Sequence, residues 1–257
     1  MTSWTAIDEE LARWRDAGRT PTLWWRDDDA VDATPALDRL LSLQRTHGVP
    51  LALAVVPSGA TPALAARLAQ VPGIDLLQHG YAHSNHAPVG EKKAELGPER
   101  PAMVVLGELG TGWLALERLF GPSVLPVLVP PWNRIAPGLV PALPEIGFRG
   151  LSTFGSRPRT RPVSRSVSRW VQVNTHIDLI DWRSRRFAGA EAVLGAFARA
   201  LAAAREAEEP LGLLSHHLAM DEAGWDFLSS FWEKVGGMPG LSIAAANGLF
   251  ASWEARA

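Results

Sequence analysis

Short apolar runs, each ending in a polar cluster, alternate along the chain with stretches in which apolar residues return every three or four positions. The short runs read as buried strands, and the longer stretches as amphipathic helices that cover them. The strand candidates are T-L-W-W-R from Thr22, L-A-L-A-V-V from Leu51, I-D-L-L-Q-H from Ile74 and V-L-P-V-L-V from Val124. They continue with F-R-G-L-S-T from Phe148, W-V-Q-V-N-T-H-I-D from Trp170, L-G-L-L-S-H from Leu211 and L-S-I-A-A from Leu241. Helical spacing is clearest from Ala190 to Glu208 and from Trp225 to Val235. The word A-T-P-A-L follows the first two strand candidates, at Ala33 and again at Ala60. In both copies Thr supplies an N-cap, and the Pro after it gives up only an N–H that a first turn leaves unpaired. After the first copy, Leu37, Leu40, Leu41 and Gln44 share one helical face, and H-G-V-P from His47 ends the helix.

Strand–helix alternation of this kind builds a parallel sheet with helical crossovers. It predicts one α/β domain over 1–257, a single (β/α) barrel, distorted, with seven or eight parallel strands. The stretch 89–121 fits neither period and is read as an excursion or lid over one rim. In such barrels the C-terminal ends of the strands carry the chemistry. Polar clusters stand at just those places: R-D-D-D at Arg26, Q-H-G-Y-A-H at Gln78, P-P-W-N at Pro130, D-L-I-D-W at Asp178 and S-H-H at Ser215.

Composition narrows the partners. A net charge of -2 argues against nucleic acid, which needs a concentrated basic surface. The one basic run, Arg157 to Arg169, reads as a solvated loop. No apolar run approaches the ~18 residues of a membrane span, so no membrane partner is expected. The N-terminal M-T-S-W-T-A-I-D-E-E-L has no export pattern, and a cytoplasmic location is the expectation. With no cysteine, disulfides and thiolate metal sites are excluded.

The segment from His79 to His86 holds three of the chain's seven histidines. His79 and His83, four positions apart, can reach one ion, whereas His86 reads equally well as a supporting group or a plain loop residue. Two imidazoles with a carboxylate from another strand end make a site for zinc or another divalent transition metal, with positions left for water. R-D-D-D lacks the spacing of a calcium loop and is either a solvated turn or part of that site. Of the eleven tryptophans, Trp132 and Trp182 sit in clusters that should face the site, while Trp24 and Trp25 read as barrel packing.

These motifs, in this order, resemble those of the polysaccharide deacetylases of carbohydrate esterase family 4, the NodB-homology domain. D-D-D-A-V-D-A-T-P-A-L is similar to the family's T-F-D-D-G and the T-P that follows it. The T-P spacing makes Asp27 the implied general base and Asp28 the implied metal ligand, with Asp29 in the glycine position. A one-residue slip would make Asp28 the base and Asp29 the ligand. H-G-Y-A-H resembles H-[ST]-x-x-H, which implies His79 and His83 as the other ligands and puts Gly80 where the family has Ser or Thr. D-L-I-D-W matches D-x-x-D-W and implies Asp181 as the residue orienting the catalytic histidine, with Trp182 a groove wall. L-G-L-L-S-H-H approximates L-x-L-x-H, with His216 the implied general acid and His217 the runner-up. The third motif departs: the family's R-P-P-Y-G is V-P-P-W-N here, with Val129 at the arginine position. Arg26 or Arg134 could supply that charge, and Trp132 or Asn133 the oxyanion N–H and substrate contacts. The resemblance implies one divalent ion, zinc foremost, and removal of the acetyl group from an N-acetylated amino sugar. Two other readings are hydrolysis of a linear or cyclic non-sugar amide, and a non-catalytic carbohydrate-binding relative.

Overall fold

The computed structural model describes residues 3–157 and 170–251. Nearly all of the basic run therefore lies outside the described residues. The chain begins with helix α1 (Ser3–Asp16), followed by β1 (Thr22–Ala30), α2 (Pro35–His47), β2 (Leu51–Val55), α3 (Pro62–Leu68) and β3 (Ile74–His79). It continues through α4 (Ala102–Phe120), β4 (Val124–Val129), β5 (Gly150–Leu151), β6 (Val171–Gln172) and β7 (Ile177–Asp178). The hairpin strands β8 (Ile180–Asp181) and β9 (Arg186–Phe187) come next, then α5 (Ala190–Ala207), β10 (Leu211–Ser215), α6 (Glu222–Gly236), β11 (Ser242–Ile243) and α7 (Ala246–Phe250).

The main sheet runs β6-β5-β4-β3-β2-β1-β10-β7, with β11 beside the start of β1, and the pairings along it are parallel. β6 and β7 belong to one extended run, which meets β5 at its beginning and β10 at its end. The sheet thus curls into the distorted (β/α) barrel that the alternation predicts. Each strand candidate contributes a strand, and none of the described helices is long and apolar enough to cross a membrane.

Strand alternation sorts two apolar layers. Leu23, Trp25, Leu53, Val55, Leu211 and Leu213 face outward into the main core with α1, α2, α5 and α6. Trp24, Ala52, Ala54, Leu77, Val127 and Val129 face the barrel interior, closed below by Phe250 of α7. Both A-T-P-A-L words behave as read: Thr34 and Thr61 each accept the N–H three residues on, and Gly48 ends α2 at φ 62, a left-handed conformation that glycine takes without strain.

The stretch 89–121 is mostly not an excursion. Its second half is α4, the crossover between β3 and β4, and the rim loop spans residues 80–101. Gly107, Gly110 and Gly112 and the exposed Met103, Val104 and Leu114 blur the helical period there. Gly112 has a packing reason, because a Cβ would lie 2.7 Å from the Gln78 amide and 2.9 Å from Pro57.

Candidate metal and catalytic site

The site forms where β1, β3, β4, β7 and β10 end on one rim, and β1 carries most of its charge. On β1 the residues Leu23, Trp25 and Asp27 face outward, while Trp24, Arg26 and Asp28 face inward. The register between β1 and β2 then shifts between Asp27 and Ala30, a bulge in which Asp29 takes φ 74. A bulge re-aims the side chain that follows it, and here it turns Asp29 toward the mouth of the barrel. The three consecutive acids therefore point in three directions.

Asp29 meets the histidines. Its Oδ1 lies 3.1 Å from His79 Nε2 and 3.2 Å from His83 Nε2, and one ligand atom from each of the three residues falls within 4.8 Å of the others. His79 Nδ1 is 3.0 Å from the Val129 carbonyl, so that nitrogen donates and Nε2 keeps its lone pair for the cluster. A carbonyl that fixes the imidazole tautomer in this way is the usual outer support of a metal-binding histidine. Two imidazoles and one carboxylate fit a divalent transition metal with positions left open. Burial pushes the Asp29 carboxyl up, but the His79 hydrogen bond and the charges of His79, His216 and His83 outweigh it and hold it well below the usual range. His79 is pushed down by burial but raised on balance by Asp28 and Asp29. His83 is lowered by burial and by the neighbouring His79 charge.

The geometry departs from the expected roles at Asp28, Asp27 and Asp181. Asp28, the expected ligand, is 1% exposed and turned to Arg26, with Oδ1 2.8 Å from Nε and Oδ2 3.0 Å from Nη2. The same guanidinium donates to Ser152 Oγ at 2.6 Å and to Asn133 Oδ1 at 2.7 Å. Arg26 thus sets a buried guanidinium against Asp28, whereas Val129 sits in the barrel's apolar interior cluster. Arg134 does not take part; it donates to the Lys93 carbonyl. Asp27, the expected base, is fully buried on the outer face. There Oδ1 is 2.5 Å from His217 Nδ1, and Oδ2 accepts from Ser215 Oγ at 2.6 Å and the His217 N–H at 3.0 Å. Trp25 Nε1 donates to Ser215 at 2.9 Å and completes a clamp between β1 and β10. Burial pushes His217 down, and Asp27 raises it on balance.

His216 faces inward on the opposite side of β10 from Ser215, as alternation requires. Its Nδ1 is 3.7 Å from an oxygen of Asp178, not of Asp181. Asp181 instead closes the β8–β9 hairpin, accepting from the Arg183 N–H and Ser184 Oγ, which hold its carboxyl low. Asp178 is raised by burial against the opposing pull of His216 and the donors Ile180 N–H and Trp182 Nε1. Trp182 is 49% exposed, donates to Asp178 at 2.8 Å and sets its ring edge on His216 with centroids 4.7 Å apart.

Trp132 packs on His83 with centroids 4.4 Å apart, and Lys93 Nζ lies over the Trp132 ring, 5.9 Å from its centroid. Asn133 commits its N–H to the Pro130 carbonyl at 2.8 Å and its side-chain oxygen to Arg26. His86 is exposed, and its N–H ties the rim loop through the Ala94 carbonyl at 2.9 Å. Left-handed φ in a residue other than glycine costs energy and gathers at functional sites. Asp29, His83, Trp132 and Asn133 all have it here.

A scan against protein-family models finds no match, and a search of the curated proteins finds none either. Solved structures do resemble this one, among them a family 4 carbohydrate esterase from Streptomyces lividans in complex with acetate. It is 15% identical with a TM-score of 0.58, covering 87% of this chain and 92% of that one. The peptidoglycan deacetylase PdaC from Bacillus subtilis is 13% identical, with a TM-score of 0.57 and coverage of 92% and 93%. A family 4 acetyl xylan esterase from Clostridium thermocellum, in complex with a cobalt ion, is 13% identical, with a TM-score of 0.53 and coverage of 90% and 91%. The fold is that of the polysaccharide deacetylases, over nearly the whole of both chains.

Proposed function

We propose that the protein is a metal-dependent hydrolase that removes the acetyl group from the nitrogen of an N-acetylated amino sugar. The observation that carries this reading is the meeting of Asp29, His79 and His83 on the same rim as the Arg26–Asp28 pair and the His216–Asp178 pair. Asp29, His79 and His83 would hold a divalent ion, zinc foremost. When bound, such an ion polarises a carbonyl and brings a water's pKa toward neutrality.

The chain's own groups divide the remaining work. Asp28, fixed in orientation by Nε and Nη2 of Arg26, takes the proton of the attacking water. His216, beside Asp178, gives its proton to the departing amine. Of the two N–H groups after Pro130, that of Asn133 is committed, which leaves the Trp132 N–H to support the oxyanion. Trp182 and Trp132 form apolar walls over His216 and His83, a surface suited to the faces of a sugar ring.

A second reading, release of acetate from a sugar oxygen, is favoured by the acetyl xylan esterase among the similar structures. The same residues serve both, because only the leaving atom differs. The Arg26–Asp28 pair weighs against the non-catalytic reading, because it sets a buried cation beside the candidate base. The test is acetate release from N-acetylated amino-sugar oligomers, acetylated xylan and small cyclic amides, with the metal supplied and with it chelated. Turnover of the amino-sugar oligomers that chelation abolishes is expected. Turnover of cyclic amides alone would overturn the proposal.

A further inference from the structure

The buried Glu95 has no place in the chemistry above, yet it lies against the loop that presents His83. Its Oε2 accepts the Tyr81 N–H at 3.1 Å, and its Oε1 accepts the Ala82 N–H at 2.7 Å with the Ser84 N–H farther off at 3.5 Å. Three more of the loop's backbone groups are engaged: the Gly80 N–H to the Val129 carbonyl, the Gly80 carbonyl to Gln78 Nε2, and the Tyr81 carbonyl to the Ser58 N–H. Unpaired buried backbone groups are costly, so this pattern fixes one loop shape. Glu95 stands at 1% exposure, and Gly80 leaves the room for it. A Cβ at Gly80 would lie 2.0 Å from Glu95 Oε2 and 2.5 Å from Pro131 Cγ, on a residue at φ 56. No hydroxyl side chain fits at that position, and the Glu95 carboxylate, from the returning part of the rim loop, occupies the space.

We propose that Glu95 is a positioning residue for the divalent ion: its carboxylate gathers the backbone N–H groups of Tyr81, Ala82 and Ser84, on both sides of His83, and so holds His83 in its left-handed, ion-facing conformation. Three donors converging on one buried carboxylate make a stiff turn, and His83 at φ 53 needs such support to persist. The proposal rests on the metal reading of Asp29, His79 and His83. Outer partners of metal ligands commonly alter affinity by about 10- to 100-fold when changed.

The test uses cobalt(II) alone, titrated into metal-free wild type and into Glu95→Gln, read by calorimetry and by the visible absorption of the bound ion. Gln keeps the size but sets an NH2 group against N–H donors. Affinity at least about tenfold weaker, with a changed cobalt absorption band, is expected. Wild-type affinity and an unchanged band in Glu95→Gln would overturn the role of Glu95 while leaving the metal site intact. Failure of wild type itself to take up cobalt would instead overturn the metal reading. If Glu95→Gln does not fold, amide exchange in metal-free wild type decides. Slow exchange at Tyr81 and Ala82 supports the proposal, and exchange at open-loop rates overturns it.

Discussion

Replacing Arg26 with Met tests whether a β1 arginine has taken over the support of the candidate base. The guanidinium is wholly buried, and Asp28 beside it is 1% exposed, so solvent screens the pair little. Charge centres ~4 Å apart at an effective dielectric of ~20 attract by about 4 kcal/mol. Removing one member of a buried pair leaves the other charged and unmatched, at a cost of about 3–5 kcal/mol. The two lost hydrogen bonds, to Ser152 and Asn133, belong to the same removal. Arg26→Met should therefore lose about 3–5 kcal/mol, a large share of the ~5–15 kcal/mol typical of a folded domain. Arg26→Met combined with Asp28→Asn should recover much of that loss, because the stranded charge goes with it. Denaturant unfolding of wild type, both single variants and the double variant gives the coupling directly. A coupling near 3 kcal/mol is expected. A coupling below ~0.5 kcal/mol, the scale of exposed pairs, would refute the reasoning. Arg26→Lys should not rescue, since one ammonium cannot reproduce the two-point contact with Asp28.

Further outcomes follow from the same geometry. Asp178→Asn should lower kcat by about 10²–10⁴, the scale of general acid catalysis, whereas Asp181→Asn should change it less than about threefold because that carboxyl's partners among the described residues lie in its hairpin; steady-state kinetics of the two variants checks the pair. For His217, the pKa raised by Asp27 means that the folded protein binds the proton more tightly than the unfolded chain. Its stabilisation is complete below the unfolded value of ~6.5 and drains away as pH rises through the higher folded one. The stability gap between wild type and His217→Gln should accordingly be widest in mild acid and narrow in alkali, as read by unfolding across pH; a gap that does not change with pH would count against the clamp. Trp182→Ala removes a wall of the site and a donor to Asp178, so it should raise KM and lower kcat together, and an unchanged KM would remove Trp182 from the substrate surface.

The strands were readable because buried parallel strands are short apolar runs ended by polar residues, and the five clusters at their ends do gather on one rim. Individual roles were harder to read for a specific reason. In R-D-D-D, motif spacing cannot show a bulge, and the bulge at Asp29 decides which carboxylate meets His79 and His83. Alternation along T-L-W-W-R-D-D-D already held a hint, because Trp25 and Asp27 share parity with the outward leucine Leu23. Asp178 carried a clearer signal: it ends the strand candidate W-V-Q-V-N-T-H-I-D and pairs in register with Leu214, two residues before His216. Asp181 lies past that strand end, in a hairpin whose two-residue strands are too short to leave a pattern. Glu95 had no local signal at all. Its partners lie across a rim loop, and only the missing side chain at Gly80 points toward it.

The central claim, that Asp29 rather than Asp28 joins His79 and His83 in holding the ion, is tested most directly by metal content. Wild type, Asp28→Asn and Asp29→Asn would be purified, loaded with one equivalent of zinc, desalted and analysed for bound metal. Near-stoichiometric metal is expected in wild type and in Asp28→Asn, with little or none in Asp29→Asn. Full metal in Asp29→Asn, with loss in Asp28→Asn, would contradict the account.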